Sequence, residues 1–259
     1  MNTISLITDF GLSDGYVGCM KGVVYSLGSN CQVVDIAHDI ERGDIDSAGF
    51  VLYQCYRFFP QGTIHVIVVD PEVGSSRKIL CVQTAKYIFL SPDNGVLKYI
   101  FHYEKTLQVY MVNKAQYFMS QVSQTFHGRD VFAPVAAWLC RGKKTKQMGP
   151  LYRDYEQGSL PQAKRRSDRL QGQIIHIDRF GNLITNIESN HTDFRQRFTL
   201  KVRNKKAHCL LLSAYSEGLK NEPLLIWGSH GFLEIAVKNS SAAKILNVKR
   251  GDAIELLWS

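Results

Sequence analysis

A short stretch near residue 70 carries the side chains best placed for chemistry. Val68 and Val69 run into Asp70, and a turn rich in proline, glycine and serine follows before Arg77. An apolar run that stops at an acid and a turn is typical of the end of a buried parallel strand. Open α/β sheets bind their ligands at such ends. The pattern predicts either a crevice carboxylate with a guanidinium partner, or a carboxylate that caps a turn beside a surface ion pair.

Two further acids follow the first predicted strand. Asp9 and Asp14 lie five residues apart in a glycine-containing loop, between a strand at 4–8 and a helix at 16–27. A strand, a polar loop and a helix form the nucleotide-binding unit of α/β folds, although the usual G-x-G-x-x-G is absent. Carboxylates here suit ribose hydroxyls better than a pyrophosphate, which they would repel. The alternative is that Asp14 caps the helix and Asp9 forms a turn.

His127 lies in a third polar loop, at 124–130, which opens a predicted helix that ends at 140. Backbone N–H groups at a helix start favour anionic or lone-pair ligands, and Asp130 is a candidate cap for this helix. A histidine in a loop, rather than on an apolar face, is a candidate for proton transfer. A purely structural role for His127 is the alternative.

Predicted strands alternate with predicted helices through the first 140 residues. Apolar periodicity predicts helices at 16–27 and 45–58. The predicted strands are at 4–8, 32–36, 63–69, 79–83 and 87–90. This alternation predicts an α/β fold with a mostly parallel sheet and helices on both faces.

The chain changes character at Leu170, where short strands separated by turn signals begin. They are predicted at 173–178, 182–185, 198–202, 209–212, 224–227, 232–237 and 253–258. Short strands at this spacing predict a small β-barrel or a sandwich. We therefore expect an α/β N-terminal domain at 1–150, a basic linker at 151–169 and a C-terminal β-barrel domain at 170–259.

The formal net charge of +8 is unevenly distributed along the chain. Residues 141–169 hold nine Lys/Arg against three Asp/Glu. A basic patch can indicate nucleic-acid binding. This one has only Tyr152 and Tyr155 as interleaved aromatics, and no nucleic-acid motif surrounds it. We interpret it as a solvated linker and expect no nucleic-acid partner.

The six cysteines are scattered and include no C-x-x-C pair. This spacing argues against a disulfide framework and against a zinc site, so we expect mostly buried thiols in a reducing compartment. No apolar run approaches the ~20 residues of a membrane span, and the first residues lack the basic region of a signal peptide. The expectation is a cytoplasmic protein without a bound metal.

Motifs along essentially the whole chain, in matching order, resemble those of the S-adenosyl-L-methionine (SAM) hydroxide adenosyltransferases, relatives of the fluorinase and chlorinase. These motifs are TDFG at 8–11, GDI at 43–45, VDP at 69–71, PDNG at 92–95, TFHGRD at 125–130, DRFGN at 178–182, TN at 185–186, GS at 228–229 and FLEIA at 232–236.

The resemblance implies a fold, an assembly and a set of roles. The family combines an α/β N-domain with a β-barrel C-domain and forms homotrimers, with SAM between the N-domain of one subunit and the C-domain of the next. Asp9 would hold the ribose hydroxyls, with Asp14 close to the substrate. The hydrolase branch carries an Asp–Arg–His set, absent from halogenating relatives, which maps onto Asp70, Arg77 and His127.

The resemblance also implies binding residues in the second half of the chain. Asp178 and Asn182 would hold the amino-acid end of the methionine. The implied adenine contacts are Ser229, the main chain near Asn239, and either Tyr215 or Trp227 as the stacking aromatic. Two positions depart from the family pattern: Glu72 replaces the usual glycine, and His230 replaces a small residue.

The implied reaction is hydrolysis of SAM to adenosine and L-methionine by an activated water or hydroxide that attacks C5′. Methionine leaves a sulfonium as a neutral group, so no cofactor and no general acid are needed, and positioning can supply ~7–11 kcal/mol of the barrier. Arg77 is expected to lower the Asp70 pKa and weaken Asp70 as a base. Asp70, Arg77 and His127 would therefore bind the water together and share its proton. The alternatives are halide transfer to C5′ and a SAM- or nucleoside-binding sensor without turnover.

Overall fold

The computed structural model describes residues 2–28, 30–105, 107–189 and 197–258. The chain divides into two compact units, Met1–Leu160 (unit 1) and Pro161–Ser259 (unit 2). The domain boundaries at 150 and 170 stay predictions.

The described residues of unit 1 form one six-stranded sheet and four α-helices. The helices are α1 Tyr16–Ser26, α2 Ile45–Cys55, α3 Lys98–Tyr103 and α4 Ala133–Cys140. The strands are β1 Asn2–Thr8, β2 Cys31–Ala37, β3 Ile64–Val68, β4 Ile79–Gln83, β5 Ile88–Pro92 and β6 Gln108–Met111.

The strand order is β2-β1-β3-β5-β4-β6. β1 pairs in parallel with β2 and β3, and β3 pairs in parallel with β5. β4 is antiparallel to both β5 and β6. The carboxyl ends of β1, β2, β3 and β5 therefore share one edge, where a parallel sheet offers a ligand site.

Alternate residues of β3 supply two separate cores. Ile64 and Val66 pack with α1 and α4 on one face of the sheet. Ile67, together with Val69 just beyond the strand, packs with α2 and α3 on the other face. Burial on both faces explains why β3 is β-branched and apolar at every position except the buried His65. The predicted α/β fold with helices on both faces is confirmed.

Unit 2 is built on a closed β-barrel of seven strands. The strands of the unit are β7 Lys164–Arg165, β8 Arg169–Ile177, β9 Leu183–Glu188, β10 Arg197–Val202, β11 Lys205–Leu212, β12 Pro223–Trp227, β13 Phe232–Val237 and β14 Ala253–Leu257. A pairing of β14 with β8 closes the barrel, and β7 adds to β8 outside it. The predicted barrel is confirmed, and the short helix α5, Ala242–Leu246, is an addition to it.

Some elements differ from the prediction. The helix predicted at 45–58 ends at Cys55 and continues as a 3-10 turn, Tyr56–Phe58. Neither α3 nor β6 was predicted, because segments this short hold too few residues to show a period.

The cysteines also depart from expectation. Cys31 and Cys140 form a disulfide between the start of β2 and the end of α4, across 109 residues of sequence. Packing of α4 against the sheet brings the two together, and spacing along the chain does not reveal such a pair. Cys81 and Cys209 are buried thiols as expected, whereas Cys19 is exposed. No helix among the described residues is long and apolar enough to cross a membrane.

Candidate active site

Three loops that follow parallel strands meet at one edge of the unit 1 sheet. Asp9, after β1, accepts a hydrogen bond at Oδ2 from the Gly43 N–H, 2.8 Å away in the loop after β2. Gly43 has a φ of +72°, and a Cβ at this position would lie 3.4 Å from Pro71 Cβ in the loop after β3. Asp9 and the loop that carries Asp70 thus both contact the loop after β2, as expected for neighbouring strand ends of a parallel sheet.

Asp70 lies two residues beyond β3 with its side chain 12% exposed. Its Oδ1 lies 2.9 Å from Arg77 Nε and accepts a hydrogen bond from the Glu72 N–H at 3.0 Å. Asp70 therefore caps a turn and pairs with a guanidinium at the same time. The Arg77 side chain is 17% exposed, so the pair is not a surface ion pair.

Arg77 makes contacts on three sides. Its Nη2 lies 2.5 Å from Glu72 Oε2, and its Nη1 donates to the Asp93 carbonyl oxygen at 3.3 Å. Its Nε is buried and faces the Asp70 carboxylate, with Oδ1 at 2.9 Å. The guanidinium therefore joins the Asp70 turn, the Glu72 carboxylate and the Asp93 main chain.

Burial raises the pKa of Asp70 above its ordinary value of 3.8. The Glu72 N–H and the Arg77 charge act in the opposite direction without cancelling this rise, and the Glu72 charge adds to it. Arg77 does lower the pKa of Asp70, as expected, but desolvation of the carboxylate outweighs the attraction of the cation, so that the net shift is upward. Asp70 is a better proton acceptor than a free aspartate.

The loop at 121–130 packs against two of the strand-end loops. Gly74 has a φ of +84°, and a Cβ at this position would lie 2.3 Å from the Gln124 carbonyl oxygen. The Phe126 ring contacts Phe10 and Tyr16, with centroid distances of 5.8 and 5.2 Å. The loop that carries the predicted histidine is therefore fixed next to the loop that carries Asp70.

His127 itself is half-buried and directly precedes a π-helical turn, Gly128–Phe132, which leads into α4. No hydrogen bond or ion pair of the described residues joins His127 to Asp70 or Arg77. The fold brings the two loops together, and the role of the imidazole stays a prediction.

Two predicted helix caps are wrong. Gly15 is the N-cap of α1, and no side chain caps this helix, so the exposed Asp14 is not its cap. Asp130 accepts hydrogen bonds from the Ser123 N–H at 2.9 Å and from its hydroxyl, while Phe132 is the N-cap of α4. Asp130 therefore shapes the loop ahead of α4.

In unit 2, Asp178 organises the turn between β8 and β9. Its Oδ1 accepts hydrogen bonds from the Phe180 and Asn182 N–H groups at 2.9 and 2.8 Å. Its Oδ2 accepts from the Asn182 side-chain amide at 2.9 Å. Two predicted substrate residues are thus in direct contact and held in fixed positions.

A cavity of about 670 Å³ lies beside this turn, and Asn182, Tyr215 and Asn239 line it. Trp227 packs partly against the barrel core. Ser229 is exposed in the turn between β12 and β13. Three of the predicted binding residues thus line one cavity. Of the two candidate aromatics, Tyr215 and Trp227, Tyr215 is the one that lines it.

Sequence reasoning missed Glu234, which is 9% exposed on β13. The Tyr215 hydroxyl donates a hydrogen bond to its Oε2 at 2.6 Å. Burial raises the pKa of Glu234 and lowers the pKa of His230, the second residue that departs from the family pattern. The available signal was a single acid inside the apolar strand FLEIA.

Among the described residues, no group of three His, Cys, Asp or Glu could hold a metal ion.

The chain matches family models over most of its length. Residues 4–149 match the N-terminal domain of SAM hydroxide adenosyltransferase, and residues 172–255 match its C-terminal domain. A solved structure of an uncharacterized conserved protein from Thermotoga maritima is similar with a TM-score of 0.93 and 33% identity, covering 98% of this chain and all of that one.

Curated relatives span the full length as well. A protein from Methanocaldococcus jannaschii named (R)-S-adenosyl-L-methionine hydrolase is 33% identical over 270 residues, covering 100% of this chain and 97% of the relative. A protein of the same name from Thermus thermophilus is 29% identical, with coverages of 99% and 100%. A fluorinase from Actinopolyspora mzabensis is more distant, at 24% identity with coverages of 99% and 97%.

Proposed function

The chain belongs to the SAM hydroxide adenosyltransferase family, and from this premise we propose that it hydrolyses SAM to adenosine and L-methionine. Water attacks C5′, so that an O–C5′ bond forms while the C5′–S bond breaks and its electron pair stays on sulfur. Methionine leaves as a neutral thioether, and the only proton to be removed is that of the water. The enzyme needs to position the water and accept this proton.

The Asp70–Arg77 pair is the observation that carries this proposal. Asp70 offers a mostly buried acceptor of raised pKa, and the guanidinium of Arg77, 2.9 Å from it, offers N–H donors and a positive charge. Together they suit one water or hydroxide, held by its oxygen and relieved of its proton. We assign Asp70 as proton acceptor and Arg77 as holder of the oxygen. His127, in the adjacent loop, would relay the proton to solvent.

Asp9 suits the ribose. Its Oδ2 is occupied by the Gly43 N–H, while its Oδ1 has no hydrogen bond within the described residues. A carboxylate oxygen held in this way can accept hydrogen bonds from the ribose hydroxyls. Asp14, exposed in the same loop, would lie close to the substrate.

The unit 2 residues suit the other two parts of SAM. Asp178 supplies a carboxylate for the methionine ammonium, with Asn182 beside it. Tyr215 offers a ring for adenine because it lines the cavity, and Trp227 is the less suitable aromatic since it packs on the barrel core. Ser229 and the main chain near Asn239 would provide polar contacts to the base.

Halide transfer to C5′ is disfavoured by local charge. A halide would have to approach beside Asp70 and Glu72, both carboxylates within 3 Å of Arg77. The two negative charges of Asp70 and Glu72 exceed the single positive charge of the Arg77 guanidinium. Water carries no such penalty, so the charges at the site favour hydrolysis over halogenation.

The test is to incubate the purified protein with SAM in ¹⁸O-labelled water, with and without excess chloride. We expect adenosine carrying the label at its 5′ oxygen, together with equimolar L-methionine, by chromatography and mass spectrometry. A chlorinated nucleoside would support halide transfer instead. Tight binding of SAM or adenosine without product would support a sensor and overturn the hydrolase proposal.

The assembly and location are also proposals. The family resemblance supports a homotrimer, and exposed apolar side chains in the strand-end loops of unit 1, Leu12 at 67% and Val73 at 40%, support association there. A cytoplasmic location is proposed because the substrate is an intracellular metabolite, and cell fractionation with an antibody to the protein would test it.

A further inference from the structure

A short segment at 213–219 crosses the outer face of the barrel at β12 and β13. Gly218 lies so close to β12 that a Cβ there would be 2.3 Å from Leu224 Cδ2. Lys238, at the end of β13, donates from Nζ to the Ser216 carbonyl oxygen at 2.6 Å. These contacts bring Tyr215 to the cavity wall.

The carboxylate of Glu234 contacts two groups: the Tyr215 side chain, which belongs to this segment, and the backbone of Gly228. Its Oε2 accepts the Tyr215 hydroxyl hydrogen bond at 2.6 Å. Its Oε1 lies against Gly228, where an added Cβ would come within 2.0 Å of that oxygen. One carboxylate therefore contacts both the phenol that lines the cavity and the turn that carries Ser229.

Burial of the Glu234 carboxylate is energetically unfavourable, and the packing of the barrel does not require a carboxylate at this position. It is 9% exposed, and no Lys, Arg or His of the described residues forms an ion pair with it. The nearby Asp178 carboxylate adds repulsion. An apolar residue would fill a position beside Leu224 and Ile226 without that cost, since a buried charge without a cation is unfavourable.

We propose that Glu234 is a positioning residue that fixes the Tyr215 ring and the Gly228–Ser229 turn for binding of the adenine base. The Tyr215 hydroxyl donates its hydrogen bond to Glu234. Tyr215 therefore presents the face of its ring to the ligand, and not a hydrogen-bond donor. The inference rests on the proposed function, because it takes SAM as the molecule whose base enters the cavity.

A double-mutant cycle on ligand affinity tests this role. Calorimetry would measure SAM, adenosine and L-methionine binding to wild type, Glu234→Ala, Tyr215→Phe and the double variant. We expect each single change to weaken SAM and adenosine binding by about tenfold, the usual size for a hydrogen bond to a charged group. The double variant should be no weaker than Glu234→Ala, because that change already removes the Tyr215 hydrogen bond together with the contact at Gly228.

Three comparisons separate positioning from a general structural role. L-Methionine affinity should not change in these variants. Glu234→Gln keeps an acceptor and should restore part of the affinity, with kcat at saturating SAM near that of wild type. Glu255→Gln, a barrel carboxylate that bonds to Gln171 on β8, is the matched control and should leave all affinities unchanged.

The outcomes decide between the two proposals. Additive losses, an equal loss of methionine affinity, or no loss at all would overturn the positioning role. If Glu234→Ala fails to fold by circular dichroism, Tyr215→Phe and Glu234→Gln carry the test through the same affinities. A wild type that binds SAM without cleaving it would overturn the hydrolase proposal and leave the cycle readable.

Discussion

Asp70 and Glu72 both form an ion pair with the guanidinium of Arg77. Arg77 meets the first through Nε and the second through Nη2, at 2.9 and 2.5 Å. Asp70 is nearly buried, whereas the Glu72 side chain is 68% exposed. Water screens the exposed pair more than the buried one, so Arg77–Asp70 is the stronger of the two ion pairs.

Replacement of the proposed proton acceptor tests its role directly. Asp70→Asn keeps the shape of the side chain and removes its basicity. We expect turnover of SAM to fall by about 10²- to 10⁴-fold, the usual contribution of general base catalysis, with SAM affinity retained. Single-turnover kinetics and calorimetry would measure the two effects. Asp39→Asn, an exposed acid in the loop after β2, is the control; equal turnover in the two variants would contradict the assignment.

The pKa of Asp70 predicts a pH dependence. Asp70 must be ionised to accept a proton, so kcat/KM should fall as the pH drops through its pKa, and the raised pKa places this limb above pH 3.8. The Glu72 charge contributes to that rise. Glu72→Gln should therefore move the acid limb to lower pH.

The measurement is a pair of pH–rate profiles, with Glu222→Gln as a matched loss of an exposed acid in unit 2. A limb that stays in place in Glu72→Gln, or that moves equally in the control, would show that Glu72 does not act on Asp70.

At the scale of secondary-structure elements, close contacts between backbone segments hold the strand-end loops in place. Gly74 combines a φ of +84° with a Cβ position 2.3 Å from the Gln124 carbonyl oxygen. Alanine in this conformation costs roughly 1–2 kcal/mol from the left-handed backbone alone, and the clash adds to it. Gly74→Ala should separate the Asp70 and His127 loops, lowering both turnover and the melting temperature.

A second glycine supplies the control. Gly22 lies in α1, where an added Cβ meets nothing within 4 Å. Gly22→Ala should raise stability by about 0.5–1 kcal/mol and leave turnover unchanged, because alanine favours the helix. Thermal unfolding and initial rates measure both. Wild-type turnover in Gly74→Ala would mean that the contact between the two loops is unimportant for the reaction.

The whole molecule is predicted to be a homotrimer. Sedimentation velocity should therefore give a mass three times the 29.3 kDa of the chain, and turnover per chain should fall on dilution once trimers dissociate. A monomer with full turnover would contradict the prediction. A trimer whose activity is independent of dilution would show only that it does not dissociate over that range.

The sequence alone determined the architecture and predicted which acids lie at the candidate site. The apolar run before Asp70 is the signature of a strand buried on both faces, and such a strand in an alternating α/β pattern leaves its final acid at a ligand-binding edge. Local signals of this kind depend only on neighbours in the chain. For that reason Asp9, Asp70 and the Asp178 turn could be selected before any distance was known.

Only the tertiary structure decided how these residues work together. The Gly74–Gln124 approach and the Tyr215–Glu234 hydrogen bond join positions far apart in the chain, so no local pattern records them. The sequence predicted that Arg77 lowers the pKa of Asp70, but it did not predict the larger rise from desolvation, which depends on how much water the fold removes. Desolvation is a property of the packed molecule, and spacing along a chain does not encode it.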